Sequence, residues 1–105
     1  GLLKGTAESC IEQGAYKHLY MHRTGHWLGL DVHDVGEYKN VIFEPGMVMT
    51  IEPGIYVSEN NELVDSKWRG IGIRIEDDIL VTDSSNDVIS SNLVKEISDI
   101  EDLCS

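Results

Sequence analysis

Three histidines and two glutamates are the residues in this sequence whose types and spacing best suit chemistry. His22, His26 and His33 fall within twelve residues among several glycines, and Glu52 and Glu76 each stand near the end of an apolar segment. Imidazole nitrogen and carboxylate oxygen suit borderline and hard divalent cations, and no cysteine is near enough to suggest a thiolate site. The pattern therefore indicates part of a metal-dependent hydrolase centre.

Taken singly, these residues support a site only weakly. The helical zinc-peptidase motif needs a glutamate directly after its first histidine, where this sequence has Arg23, and Gly25 and Gly29 oppose a helix. Histidines near glycine turns are structural about as often as functional. Glu52 directly before Pro53 is less ordinary, because an apolar strand gains nothing from burying an unpaired carboxylate there.

Two predicted strands carry the glutamates. Alternation over residues 47–52 predicts an apolar face and an opposite face that ends in Glu52, and residues 71–79 predict a second such strand with Glu76 on its polar face. Arg74 lies two residues before Glu76, so the same strand face would let it neutralise that carboxylate. If the strands are neighbours, the two glutamates share one side of a sheet, as a bridged pair of metal ions requires.

The rest of the chain predicts short elements and a modest core that includes Trp27, Leu28 and Leu30. In chain order the elements are a helix over 6–13 capped by Thr6, extended segments over 19–21 and 28–35, a turn over 44–46, a loop over 58–69 anchored by Trp68, a turn over 83–87, and a helical turn over 99–103 capped by Ser98.

Composition excludes several classes of partner. The 105 residues allow at most one domain, and 19 acidic against 8 basic side chains give a net charge of −11, which argues against nucleic acid. No apolar run approaches the roughly 20 residues that span a bilayer, so a membrane is not expected either. Cys10 and Cys104 stand far apart and suggest reduced thiols in a cytoplasmic protein, with one disulfide between them as the alternative.

Three motifs taken together resemble the C-terminal half of the pita-bread metallopeptidases, and aminopeptidase P (Xaa-Pro aminopeptidase) above all. They are His-Arg-Thr-Gly-His at 22–26 followed by His33, Thr-Ile-Glu-Pro-Gly at 50–54, and Arg-Ile-Glu-Asp-Asp at 74–78. The resemblance implies an α+β fold with a mostly antiparallel sheet and helices on one face. It also implies that residues 1–105 are the C-terminal part of a pita-bread catalytic domain, without the N-terminal half and the regulatory domain.

The resemblance further implies a dinuclear metal centre. In that family two divalent ions are held by two aspartates, one histidine and two glutamates, with manganese expected here and cobalt or zinc as alternatives. Matching positions make His26 and Glu52 ligands of one ion and Glu76 the bridge between both. The aspartates precede the matching segment, so this chain supplies three of five ligands. The fragment by itself is expected to be inactive and to hold metal weakly or not at all.

Catalytic and substrate-binding roles also follow from the resemblance. His33 matches the histidine that contacts the scissile peptide and stabilises the tetrahedral intermediate, and Glu52 would help to accept a proton. His22 matches a residue that lines the substrate pocket, and Arg74 a charge beside the bridging carboxylate.

The implied parent reaction is the metal-dependent release of an N-terminal residue that precedes proline. The expected substrate is therefore a peptide with proline in second position. A proline dipeptidase is the alternative among enzymes, and a non-catalytic pita-bread module that binds proteins is the alternative outside them. Half a domain leaves open strand edges, so the missing N-terminal half or a second copy is the expected partner, and a homo-oligomer is predicted.

Overall fold

Short antiparallel strands are the main regular structure in the computed structural model, which describes residues 2–105. The elements in chain order are α1 (Ala7–Glu12), a 3₁₀ turn (Ala15–His18), β1 (Val48–Ile51), β2 (Gly54–Tyr56), a second 3₁₀ turn (Ser66–Trp68), β3 (Gly72–Arg74), β4 (Asp77–Val81), β5 (Asn86–Val88) and α2 (Ile97–Cys104). One sheet has the order β1-β4-β5, and β2 pairs with β3 in a second sheet. These elements agree with the α+β prediction.

The described chain divides into two compact units. The first unit comprises residues 2–23 and Pro53–Arg74 and contains the β2-β3 sheet; the second unit comprises Thr24–Glu52 and Ile75–Ser105 and contains the β1-β4-β5 sheet. No helix among residues 2–105 is long and apolar enough to cross a membrane.

The apolar core of the first unit is small. Leu19, Val57 and Val64 are buried against one another, with Leu2 and Leu3 packed on them. The backbone joins the same region, because the Tyr56 N–H donates to the Leu19 carbonyl at 2.7 Å. A core of this size leaves many large apolar side chains at the surface, among them Ile55, Ile73 and Leu63.

The two helices test the predicted caps. Thr6 caps α1 as predicted, since its hydroxyl accepts from the Ser9 N–H at 3.2 Å, and the chain turns at Gly14 with a φ of +65°. The prediction for Ser98 was wrong: α2 begins at Ile97, and its N-cap residue Glu96 makes no side-chain cap hydrogen bond. The Glu96 carbonyl already accepts from the Ile100 N–H, so the helix starts before Ser98.

The single strand predicted over residues 71–79 was wrong. β3 ends at Arg74 and pairs with β2, whereas β4 begins at Asp77 and pairs with β1. The chain therefore leaves one sheet and enters the other at residues 75–76. No common strand joins Arg74 to Glu76, so the shared-face argument for their pairing no longer holds.

Four further predictions need correction. No strand forms over 19–21 or 28–35; instead the Asp34 carboxylate accepts from the Leu30 and Val35 N–H groups at 3.1 and 2.9 Å and stabilises a local turn. Leu30 is fully exposed rather than part of the core, and Trp68 is about half exposed rather than an anchor. The predicted turn over 83–87 is shorter, because Asn86 already belongs to β5.

Other predictions are confirmed. The Met47 N–H donates to the Glu44 carbonyl at 3.2 Å, and Gly46 has a φ of +92°, which closes the predicted turn at a position that suits glycine. Cys10 and Cys104 are both free thiols.

Hydrogen bonds anchor the start of β4. Asp77 Oδ1 accepts from the Ser90 hydroxyl at 2.6 Å and from Lys95 Nζ at 2.9 Å, while the Asp78 N–H donates to Ser90 Oγ at 3.1 Å. The Ser90 hydroxyl, followed by Lys95, lowers the pKa of Asp77 below its ordinary value. This anchor holds the residue that directly follows Glu76.

The anchor predicts how stability depends on pH. A carboxyl group with a lowered pKa in the folded state contributes stability above its unfolded pKa, about 3.9, and that contribution is lost as the pH falls through the folded pKa. We expect Ser90→Ala to raise the Asp77 pKa toward its ordinary value and to reduce the loss of stability on acidification. Carbon-detected NMR titration and thermal unfolding between neutral and acid pH measure both effects. Ser91→Ala, which removes an exposed hydroxyl, is the control; equal behaviour of the two variants would contradict the assignment.

Candidate metal centre

β1 pairs on one side with β4. The antiparallel register sets Val48 opposite Leu80 and Ile51 opposite Asp77. Continued by one residue, this register places Glu52 opposite Glu76. The pairing of β1 with β4 thus determines the positions of both glutamates, although Glu76 lies just outside β4.

Residues 24–28 run along the other side of β1. The Thr50 N–H donates to the His26 carbonyl at 2.9 Å, the Glu52 N–H donates to the Thr24 carbonyl at 2.6 Å, and Trp27 forms a bridge with Met49. His26 therefore lies opposite Thr50. On an antiparallel pair, the residue two positions further along the partner is its diagonal neighbour on the same face, and here that neighbour is Glu52.

Gly25 permits this close approach. A Cβ atom at this position would lie 1.9 Å from the Thr50 carbonyl oxygen, a backbone atom that cannot move aside. The glycine in the sequence Thr-Gly-His is thus required by packing against β1.

The three predicted metal ligands converge. His26, Glu52 and Glu76 each offer one ligand atom, and these atoms lie within 4.8 Å of one another. His26 and Glu52 are partly buried, whereas Glu76 is exposed. Side chains 50 residues apart in sequence therefore meet, as the alternation argument required, even though Glu76 precedes β4 and lies in no strand. Their role as ligands stays a prediction.

The hydrogen bonds of the His26 ring indicate that the predicted metal-ligating atoms suit a cation. Nδ1 lies 2.9 Å from the Trp27 carbonyl, which can only accept, so Nδ1 carries the proton. Nε2 then directs a lone pair at Glu52 Oε1, 3.2 Å away, and that oxygen already accepts from the Thr50 hydroxyl at 3.0 Å. Two acceptors face each other unless a second proton or a cation lies between them. A carbonyl-held Nδ1–H is also the usual arrangement of a metal-binding histidine.

His33 lies beside this group. Its ring centroid is 4.5 Å from that of His26, with the planes inclined by 66°. His33 is exposed, so its ring is accessible from solvent. The predicted catalytic histidine is thus adjacent to the predicted ligands.

His22 and Arg74 belong to the first unit, where both meet Tyr56. His22 Nδ1 lies 2.7 Å from the Arg23 carbonyl, so Nε2 is the acceptor for the Tyr56 hydroxyl at 2.7 Å. Arg74 Nη1 makes a longer contact of 3.5 Å with the same hydroxyl. Tyr56 therefore contacts two of the three predicted substrate-binding side chains.

Sequence reasoning missed Tyr56 and Thr50. Tyr56 follows Glu-Pro-Gly-Ile directly, and Thr50 shares the predicted polar face of β1 with Glu52. The signal for Thr50 was a hydroxyl two residues from a candidate ligand on the same strand face.

Residues 2–83 match metallopeptidase family M24. The chain belongs to this family. Curated relatives include the Xaa-Pro aminopeptidase of Haemophilus influenzae, 54% identical over 98% of this chain and 24% of the relative, and human Xaa-Pro aminopeptidase 3, 43% identical over 100% of this chain and 21% of the relative. The chain thus spans about a quarter of the length of these M24 relatives.

Solved structures agree with the family. The chain superimposes on Pseudomonas aeruginosa aminopeptidase PepP with a TM-score of 0.92 and 52% identity, over 98% of this chain and 24% of that one. For Escherichia coli aminopeptidase P with the inhibitor Pro-Leu, the TM-score is 0.89 and the identity 49%, over 96% and 24%. The predicted pita-bread fold of this M24 chain is confirmed.

The predicted ligands allow the Mn²⁺ affinity of two histidine variants to be predicted. His26→Ala removes a predicted ligand and should weaken Mn²⁺ binding by on the order of 10–100-fold or more, since even partners that only orient a ligand change metal affinity by that much. His18→Ala, in the 3₁₀ turn of the first unit, should leave binding unchanged. Calorimetric titration of both variants measures the difference. Equal affinities would remove His26 from the ligand set.

Proposed function

We propose that this chain is the part of an Xaa-Pro aminopeptidase that supplies three of the five ligands of a dinuclear metal centre. One observation carries the proposal: His26, Glu52 and Glu76 converge within 4.8 Å in a chain of metallopeptidase family M24. The curated relatives above are Xaa-Pro aminopeptidases, which supports the substrate class. Residues 1–105 then form the C-terminal part of the catalytic domain.

The residues of the chain have distinct roles in hydrolysis. When bound, two divalent ions lower the pKa of a shared water and stabilise negative charge on the peptide carbonyl oxygen. Glu52 both holds metal and accepts the proton of the attacking water. The exposed His33 donates a hydrogen bond to the carbonyl oxygen as its charge develops. The Trp27 carbonyl keeps His26 in the tautomer that presents Nε2.

The first unit supplies substrate contacts in this proposal. His22 and Arg74 bind a peptide with proline in second position, and the shared contact with Tyr56 fixes their orientation. A guanidinium group suits the carboxylate or carbonyl groups of a short peptide. The structure of the Escherichia coli relative with Pro-Leu shows that this relative binds a proline dipeptide.

The composition of the site favours manganese. Carboxylate and imidazole ligands without thiolate suit Mn²⁺, and they also accept cobalt or zinc. The remaining two ligands, both aspartates, are expected in the part of the relatives that this chain does not span. The two free cysteines fit a reducing cytoplasmic compartment.

The convergence of His26, Glu52 and Glu76 helps to decide between the alternative functions. A non-catalytic binding module has no use for a histidine and two glutamates brought within 4.8 Å of one another, which argues against that function for the parent protein. A proline dipeptidase shares the same motifs, but the relatives reported above are aminopeptidases.

A chimaera tests the proposed function. The isolated chain should show no turnover of an Xaa-Pro peptide, because three ligands do not hold two ions. Placed in the Haemophilus influenzae enzyme instead of the matching segment, it should release the first residue in the presence of Mn²⁺. Glu76→Gln in that chimaera should lower kcat by about 10³-fold, as expected when several kcal/mol of charge stabilisation are lost.

The matched control for the chimaera is Glu62→Gln, which neutralises an exposed carboxylate of the first unit and should leave kcat unchanged. Normal turnover by the isolated chain would contradict the three-ligand interpretation. An inactive but folded chimaera with bound Mn²⁺ would contradict the aminopeptidase assignment.

Exposed apolar surface predicts that the isolated chain self-associates. Ile55, Trp68, Ile71 and Ile73 line an apolar groove in the first unit, and each is substantially exposed. Burial recovers about 25 cal/mol per Å² of apolar area, enough for a dimer if the total contact reaches about 1,200 Å². The charge of −11 opposes association at low salt and is screened as ionic strength rises.

Association should therefore strengthen between low and moderate salt and weaken in Ile73→Asp. Sedimentation velocity across that range measures both effects. A strict monomer at every salt and protein concentration would refute the prediction.

A further inference from the structure

Thr50 has the lowest exposed fraction among the buried side chains of the described residues, at 2%. It lies near the centre of β1, opposite His26 on one side and Asp78 on the other. A buried hydroxyl must be hydrogen-bonded, and that of Thr50 has two partners. Both of these partners belong to predicted metal ligands.

The direction of each hydrogen bond is fixed by its partner. The His26 backbone N–H can only donate, so Thr50 Oγ1 accepts from it at 3.0 Å. The single hydroxyl proton is then available for Glu52 Oε1, also at 3.0 Å, because an ionised carboxylate can only accept. Thr50 thus links the backbone of one ligand to the side chain of another.

We propose that Thr50 is a positioning residue of the metal centre, whose hydroxyl holds the Glu52 side chain in one orientation toward the His26 ring. Of the two measurements that test it, only the Mn²⁺ affinity rests on the proposed function. Threonine is suited to this task because its branched Cβ restricts χ1, and its place on β1 is fixed by pairing on both sides. Glu52, two residues further on the same face, has a longer side chain with more rotatable bonds, and the Thr50 hydroxyl restricts where its Oε1 lies.

The two predicted metal-ligating atoms, on His26 and Glu52, are therefore held close together before an ion binds. Oε1 of Glu52 is held 3.2 Å from His26 Nε2 while it accepts from Thr50. A hydrogen bond to a ligating carboxylate fixes its orientation and commonly affects metal affinity by 10–100-fold. Thr50 itself contributes no ligand and touches no substrate in this proposal.

Paired substitutions of Thr50 test the proposal. Thr50→Val removes the hydroxyl at nearly constant shape, Thr50→Ser retains it, and Thr82→Val is the control. Thr82 Oγ1 accepts from the Ser85 N–H in the turn after β4, so its loss also leaves one donor without its partner. Two quantities are measured on each folded variant: Mn²⁺ affinity by calorimetry, and the χ1 rotamers of Glu52 without metal, from NMR side-chain couplings.

The expected results separate positioning from general stability. Thr50→Val should bind Mn²⁺ on the order of 10–100-fold more weakly and should distribute Glu52 over several rotamers. Thr50→Ser and Thr82→Val should keep one Glu52 rotamer and an affinity close to that of the original chain. If Thr50→Val keeps both the single rotamer and the affinity, the proposal is overturned.

Further outcomes distinguish this proposal from the proposed function. If the original chain and Glu52→Gln bind Mn²⁺ equally poorly, the metal-binding function fails, and the rotamer measurement still decides the role of Thr50. If Thr50→Val does not fold, the couplings of the original chain decide: a single χ1 rotamer at both Thr50 and Glu52 supports positioning, and averaging at either overturns it.

Discussion

The antiparallel register of β1 is the constraint on which the rest of the site depends. Pairing with β4 places Glu52 opposite Glu76, and pairing with residues 24–28 places His26 one step away on the same face. A slip of one residue on either side would turn a ligand to the opposite face, because side chains alternate along a strand. The glycine at 25 protects this register, since any side chain there would collide with β1.

Polar contacts, more than apolar packing, define the second unit. Its deepest side chain is Thr50, and the buried apolar residues Leu19, Val57 and Val64 all lie in the first unit. A polar network in which every member has a partner specifies a single arrangement, because an unpaired buried group is costly. Among the described residues no buried side-chain nitrogen or oxygen lacks a hydrogen-bond partner. The network therefore specifies ligand geometry in a region with little apolar core.

The grouping of acidic side chains at the same place suits the proposed cation. Two carboxylates and the His26 ring offer atoms within 4.8 Å of one another in a chain that already carries a net charge of −11. Concentrating negative charge in this way is unfavourable unless protons or a cation compensate it. The first unit contains the opposite kind of group, since Arg74 and His22 meet there at the Tyr56 hydroxyl.

The three motifs of the sequence were enough to recognise a resemblance that implied the family and the fold class, and both are confirmed. The same resemblance named the three residues that converge, whose role as ligands stays a prediction. Glu52 before Pro53 and the helix capped by Thr6 each carry a local physical requirement that can be recognised without coordinates. Alternation placed both glutamates on one side of a sheet on the condition that their strands were neighbours, and the pairing of β1 with β4 meets that condition.

Only the tertiary structure decided where strands stop and which side chains orient the ligands. Residues 71–79 alternate without interruption, yet they join two sheets, because strand ends depend on partners distant in sequence. Leu30 is exposed because the carboxylate of Asp34 stabilises a local turn, which competes with strand formation. Thr50 resembles any strand threonine until β1 is paired on both sides. Its hydroxyl then reaches His26 and Glu52, since hydrogen bonds between residues distant in sequence exist only once the fold has brought them together.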